Sequence, residues 1–208
     1  MLTNRAWIYV GLGAATLTVG LVELLGAPTL RKGDRVFLLG DSLAVGLAAP
    51  LGALCRDNGL AFQSMATVGT RIDQWATSAP LAAALAAFQP TIVLISLGTN
   101  DAYMLPQPGE DIGARQAPYA AELLTMIEGV SPRAIAWIAP PTLPAAAASL
   151  QSVRRLIDSE HAITLPRVKP RVSLFPSQNL TLPRGPDGIH PVARGYAAWA
   201  GAIWQWLT

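Results

Sequence analysis

The stretch RVFLLGDSL, Arg35 to Leu43, changes character at its middle. Val36, Phe37, Leu38 and Leu39 form an unbroken apolar run, which suits a strand buried on both faces. Gly40 ends the run, Asp41 and Ser42 follow, and Leu43 to Asn58 reads as a helix closed by Gly59 at its C-terminal end. A strand that passes at once into a helix is the opening half of a strand–helix–strand unit, and such units build parallel sheets.

The same alternation continues downstream. Leu60 to Ala66 reads as a second strand, and Ile72 to Phe88 as helix with a break expected at Pro80. Thr91 to Leu97 is the clearest strand in the chain. Ile112 to Gly129 is expected to be helical, and Ala134 to Ala139 is a strand stopped by Pro140 and Pro141. A helix over Leu150 to His161, a short strand over Val172 to Phe175 and a terminal helix over Val192 to Leu207 complete the series. The pattern predicts an α/β fold, a three-layer α/β/α sandwich with a mostly parallel central sheet, in one domain over residues 30–208. In such sheets ligands sit outside the carboxyl ends of the strands.

Residues 1–29 differ. Ala6 to Leu25 is a run of 20 residues with Glu23 its only charge. At helical rise it spans roughly 30 Å, the thickness of a bilayer's hydrocarbon core. Three readings compete: an uncleaved membrane anchor, a cleaved signal peptide and a buried core helix. Gly26-Ala27 followed by Pro28 makes a poor cleavage site, and so long a helix apolar on all faces is unusual in a soluble core. The favoured reading is one N-terminal hydrophobic helix that anchors the chain. Arg31, Lys32 and Arg35 beyond it lean towards a cytoplasmic domain by positive-inside counting. A short charged start followed by an apolar run is the usual form of an export signal, and on that ground the domain is expected outside the cytoplasm.

Composition excludes other classes. Of the 208 residues 51% are hydrophobic and 13% charged, with a net charge of +2. The basic residues are scattered, so no nucleic-acid partner is expected; the pair Arg154-Arg155 reads as solvated helix surface. Cys55 is the only cysteine, which rules out an intrachain disulfide and a cysteine-based metal site. It is expected on the apolar side of its helix. With His161 and His190 the only histidines, no metal or cofactor is expected.

Four polar clusters fall where the sheet rule places a site. Gly40-Asp41-Ser42-Leu43 follows the first strand, Val68-Gly69-Thr70 the second and Gly98-Thr99-Asn100-Asp101 the third. Asp187-Gly188-Ile189-His190-Pro191 precedes the terminal helix. Singly, each has a structural explanation: a capping serine, a tight glycine bend, a turn asparagine, a loop histidine. Their order and their common place at strand ends are harder to explain that way.

Together these strings resemble the SGNH, or GDSL-type, hydrolase superfamily of esterases and lipases. Its marks are the serine of GDSL, a glycine, the asparagine of GxND and the histidine of DxxH, here Ser42, Gly69, Asn100 and His190. The resemblance covers residues 36 to about 207 and departs mildly where Thr67 stands in place of an asparagine found in some members. It implies a flavodoxin-like fold and hydrolysis of carboxylic esters, acetyl or short acyl groups on a small molecule, carbohydrate or lipid. A serine hydroxyl needs an adjacent base; His190 would serve, and Asp187 would orient it and stabilise the imidazolium. The resemblance further implies an oxyanion hole made of the Ser42 and Gly69 amides and the Asn100 side chain.

Other residues take plainer roles. Asp41 and Asp101 are expected to bond loop backbone, His161 to lie at a helix end, and Arg71 to open a surface helix. Tyr196, Trp199, Ile203 and Trp206 recur at helical spacing as a buried face. Tyr103, Met104 and Leu105, within 102–111, and the segment 140–147 are expected to rim the site. Three alternatives stay open: an acyltransferase using the same triad, a binding protein on the same fold and, with no residue cluster in its favour, metal-dependent phosphoester hydrolysis. Composition is silent on oligomeric state.

Overall fold

The computed structural model describes residues 28–103, 112–141 and 172–208. The apolar run 6–25, the expected helix 150–161 with His161 and Arg154-Arg155, and most of the expected rim (the Tyr103 side chain, Met104, Leu105 and 142–147) lie outside them.

Five strands form one sheet: β1 (Arg35–Gly40), β2 (Ala61–Ala66), β3 (Ile92–Ser96), β4 (Ala134–Ile138) and β5 (Val172–Phe175). Every pairing is parallel, and the order is β2-β1-β3-β4-β5. The helices are α1 (Ser42–Asp57), α2 (Ile72–Ala76), α3 (Ala79–Phe88), α4 (Thr99–Tyr103), α5 (Ile112–Glu128) and α6 (Ala193–Leu207).

Strand alternation sorts the core into two halves. Phe37, Leu39, Val93, Ile95, Ile135 and Trp137 point to one face and pack with Ile72, Trp75, Leu81, Leu85, Leu123 and Ile127 of α2, α3 and α5. Val36, Leu38, Ile92, Leu94, Ala136 and Ile138 point to the other and pack with Leu43, Leu47, Leu51, Trp199 and Ile203 of α1 and α6. Both faces are therefore covered, which is why β1, β3 and β4 are apolar at nearly every position. Cys55 is buried on α1, and Trp199 and Ile203 on α6, as their spacing predicts.

One boundary departs from expectation. The helical stretch after Ile72 breaks at Thr77 and Ser78, and Pro80 lies inside the first turn of α3. A proline there forfeits no helical hydrogen bond, and Ser78 caps the turn by accepting from the Leu81 amide at 3.3 Å.

The amino ends of the strands are locked by one buried carboxylate. Asp34 accepts from the Arg133 guanidinium at 2.6 Å, the Arg31 amide at 2.6 Å and the Thr91 hydroxyl at 2.7 Å. Arg133 also reaches the Thr29 carbonyl at 3.0 Å, and the Leu30 amide donates to the carbonyl of Leu207 at the end of α6, at 2.8 Å. The chain thus enters the domain at the base of the sheet, beside the last turn of α6.

Candidate active site

Strand order reverses direction between β1 and β3, and in open α/β sheets the crevice at that switch point is where ligands bind. Ser42 leaves β1 and Asn100 leaves β3 at this position. Gly40 ends β1 in a confined space: a Cβ there would collide with the Ser96 carbonyl and the Ala44 side chain. The close approach lets the Asp41 amide donate to the Ser96 carbonyl at 3.2 Å and binds the two loops together. Asp41, not Ser42, is the cap of α1; its Oδ1 accepts from the Leu43 amide at 2.9 Å. That leaves the Ser42 hydroxyl free for other work in the first turn of the helix.

His190 arrives from the far end of the chain. The loop before α6 is closed by the Gly185 amide on the His190 carbonyl at 2.8 Å and the Val192 amide on the Pro183 carbonyl at 2.9 Å. Inside it, Asp187 Oδ1 accepts from the Ile189 amide at 2.9 Å and the His190 amide at 3.0 Å. Gly188 takes a positive φ of 68°, the conformation this turn needs and glycine adopts without strain. The turn aims both side chains. His190 Nδ1 lies 2.7 Å from Asp187 Oδ2, and Nε2 lies 2.8 Å from Ser42 Oγ across 148 positions of sequence. Hydrogen bonds from the His190 ring, then from the Ile189 and His190 amides, hold the Asp187 carboxyl down to about 2.

The third side of the site is the loop after β2. Gly69 has a φ of 80° and open space where a side chain would stand, so backbone conformation is what calls for glycine here. Asn100 Nδ2 donates to the Thr70 carbonyl at 2.9 Å. Thr70 is itself held: its hydroxyl donates to the Thr67 carbonyl at 2.8 Å and accepts from Trp75 Nε1 at 2.9 Å. Thr70 and Trp75 therefore set where the Asn100 amide points, a role that sequence reasoning missed. The only available signal, a threonine after a loop glycine, is too common to have marked it. The stretch from Thr99 to Tyr103 is a short helix, and it presents Asn100 on its first turn.

Two buried carboxylates lie beneath. Asp101 Oδ1 accepts from the Ile72 amide at 3.3 Å, so it, like Asp41, bonds an amide in the first turn of a helix where a bond to loop backbone was expected. Each keeps a second oxygen, Oδ2, with no hydrogen-bond partner among the described residues. Burial pushes Asp41 up to about 7 and Asp101 up to about 6. Arg71 opens α2 and pairs with Asp73 at 3.0 Å, which accounts for its charge. Among the described residues no three His, Cys, Asp or Glu side chains gather closely enough to hold a metal ion.

The architecture, a five-stranded parallel sheet with Ser42 and His190 hydrogen-bonded at its switch point, is shared with solved esterases and lipases of low sequence identity. Among solved structures it is similar to a family 3 carbohydrate esterase of Clostridium thermocellum, with a TM-score of 0.64 and 17% identity over 84% of this chain and 94% of that one. A psychrotrophic esterase of Pseudoalteromonas matches with a TM-score of 0.58 and 15% identity over 83% of this chain and 95% of that one. A lipase/acylhydrolase of Enterococcus faecalis gives 0.55 and 16%, over 82% and 94%. No family model and no curated protein matches the chain.

Proposed function

We propose that the chain is a serine hydrolase of carboxylic esters. The observation that carries this reading is the hydrogen-bonded line Asp187–His190–Ser42, with contacts of 2.7 and 2.8 Å, at the switch point of the sheet. Support also comes from the esterases, acylhydrolases and lipases that share the fold.

The steps follow from the groups present. Neutral His190 takes the Ser42 proton on Nε2 as Oγ attacks the ester carbonyl, and anionic Asp187 holds Nδ1–H and offsets the charge that develops on the ring. The carbonyl oxygen becomes an anion. The Ser42 and Gly69 amides, neither engaged by an acceptor among the described residues, and the second Asn100 Nδ2–H are the donors for it. Ser42 Oγ, in the first turn of α1, adds the favourable field of a helix N-terminus. Collapse expels the alcohol, which takes the proton back from His190 and leaves an acyl group on Ser42. Water, deprotonated by the same imidazole, then releases the acid.

The substrate class proposed is an acetyl or short acyl ester on a carbohydrate or lipid. Attachment to a membrane through residues 6–25, with the domain outside the cytoplasm, belongs to this proposal on sequence grounds alone. Among the described residues no helix is long and apolar enough to cross a membrane.

Purified protein supplied with a nitrophenyl ester of a short acid is expected to release nitrophenol, and Ser42→Ala to reduce turnover by on the order of 10⁶-fold. A Ser42→Ala variant as active as the parent would end the proposal.

A further inference from the structure

Resting on the reading of residues 6–25 as a membrane anchor, we propose that the site faces away from the bilayer that holds the chain. Its substrate is then an ester on a hydrophilic carrier such as a glycan in the aqueous phase, not an ester on a lipid of that bilayer.

The argument is one of distance and attachment. Pro28 is buried, the Thr29 carbonyl is held by Arg133, and the Leu30 amide is held by the carbonyl of Leu207. The chain is therefore fixed to the base of the sheet from its first described residues. The site lies at the opposite edge. β1 has 6 residues from Arg35 at the base to Gly40 beneath the site, about 17 Å at strand rise. α6 covers the same height in reverse: its 15 residues run from the His190 loop down to Leu207, about 22 Å at helical rise. Only three peptide units separate Leu25 from Pro28, and fully extended they reach at most about 11 Å. That link is shorter than the domain is tall, so the domain cannot invert to bring Ser42 to the lipid surface while its base stays attached.

Charge agrees with this posture. Arg31, Lys32, Arg35 and Arg56 are exposed at the base, against the carboxylates of Asp57 and Glu128, while the Asp34 carboxylate there is engaged by Arg133. A cationic base suits a surface of anionic headgroups. At the opposite edge Asp73, Asp101 and Asp187 lie among Arg71, Arg184 and Arg194, and among the described residues no such excess exists there.

The test uses the full chain in vesicles of phosphatidylcholine with phosphatidylglycerol, and in detergent micelles. Two probes are supplied: an acetylated oligosaccharide in solution and a diacylglycerol acetate dissolved in the vesicle. Vesicle-bound enzyme is expected to cleave the sugar ester within about twofold of its rate in micelles. It should cleave the bilayer ester at least ~10-fold more slowly than the same ester in micelles. Inserting about 20 Gly/Ser residues between Ala27 and Pro28, a tether of roughly 25 Å, is expected to recover most of that loss. Equal cleavage of the bilayer ester by the parent chain in vesicles and in micelles, or a loss that the longer tether leaves unchanged, overturns the proposed posture. A chain that does not float with the vesicles refutes the anchor, and the posture with it. Failure to cleave either ester in micelles refutes the hydrolase reading instead.

Discussion

Two parts of the site hold carboxylates in opposite ways. On the sheet edge, Asp41 and Asp101 are almost completely buried, each bonded to one helix-opening amide. Burial raises them to about 7 and about 6. On the loop before α6, Asp187 has a side chain 48% exposed and bonds to the His190 ring and two amides, and it is lowered to about 2. Same residue type, opposite outcome. Desolvation penalises the anion where water is excluded, whereas hydrogen-bond donors stabilise it where water remains. In the proposed mechanism the loop supplies a lasting anion to an imidazole that becomes charged during the reaction.

Within this contrast the largest effect should come from removing the one carboxylate built to stay ionised. Asp187→Asn keeps the shape but replaces the anion, and turnover should fall by on the order of 10³- to 10⁴-fold with the folded state intact. Steady-state rates beside a thermal melt would check this; a fall of less than about tenfold would break the contrast between loop and floor. On the other side of Ser42, Asn100→Ala removes one donor from the oxyanion pocket. Its expected cost is on the order of 10² in kcat with a smaller change in KM. A change in KM alone would move Asn100 from transition-state stabilisation to substrate binding.

The floor carboxylates should show themselves in stability. Between about pH 4 and about pH 7 the folded Asp41 keeps a proton that the unfolded chain has released, so folding stability falls across that window and levels off above it. Asp41→Asn abolishes this part of the slope. The thermal midpoint of the variant should therefore drop by a few degrees less than that of the parent between about pH 5 and about pH 8. Parallel melting curves would show that burial does not hold Asp41 protonated. Asp187 contributes with the other sign: its stabilisation is present above about pH 4 and is lost as pH falls towards about 2.

What the sequence disclosed, and what it hid, follows the reach of the interactions. Strands β1, β3 and β4 were legible because burial on both faces leaves an unbroken apolar run. Ser42, Asn100 and His190 were legible because each stands in a short string directly after a strand or before a helix. The break at Ser78 was misplaced because Pro80 reads as a helix breaker, whereas proline fits a first helical turn without loss. Thr70 and Trp75 were invisible as props for Asn100, since the bond that gives Thr70 its role joins residues 30 apart in sequence. The lock between Asp34 and Arg133 spans 99 positions and leaves no local pattern at either end. Local chemistry can be read along a chain; contacts made by closing the sheet cannot.

The central claim is that the Ser42 hydroxyl is made nucleophilic by His190. Reaction with a fluorophosphonate, followed by peptide mass mapping, tests it directly. The account predicts one adduct, on the peptide containing Ser42, formed rapidly by the parent chain and lost in a folded His190→Ala variant. Labelling of Ser42 at the same rate without His190, or an adduct on some other residue, would contradict it.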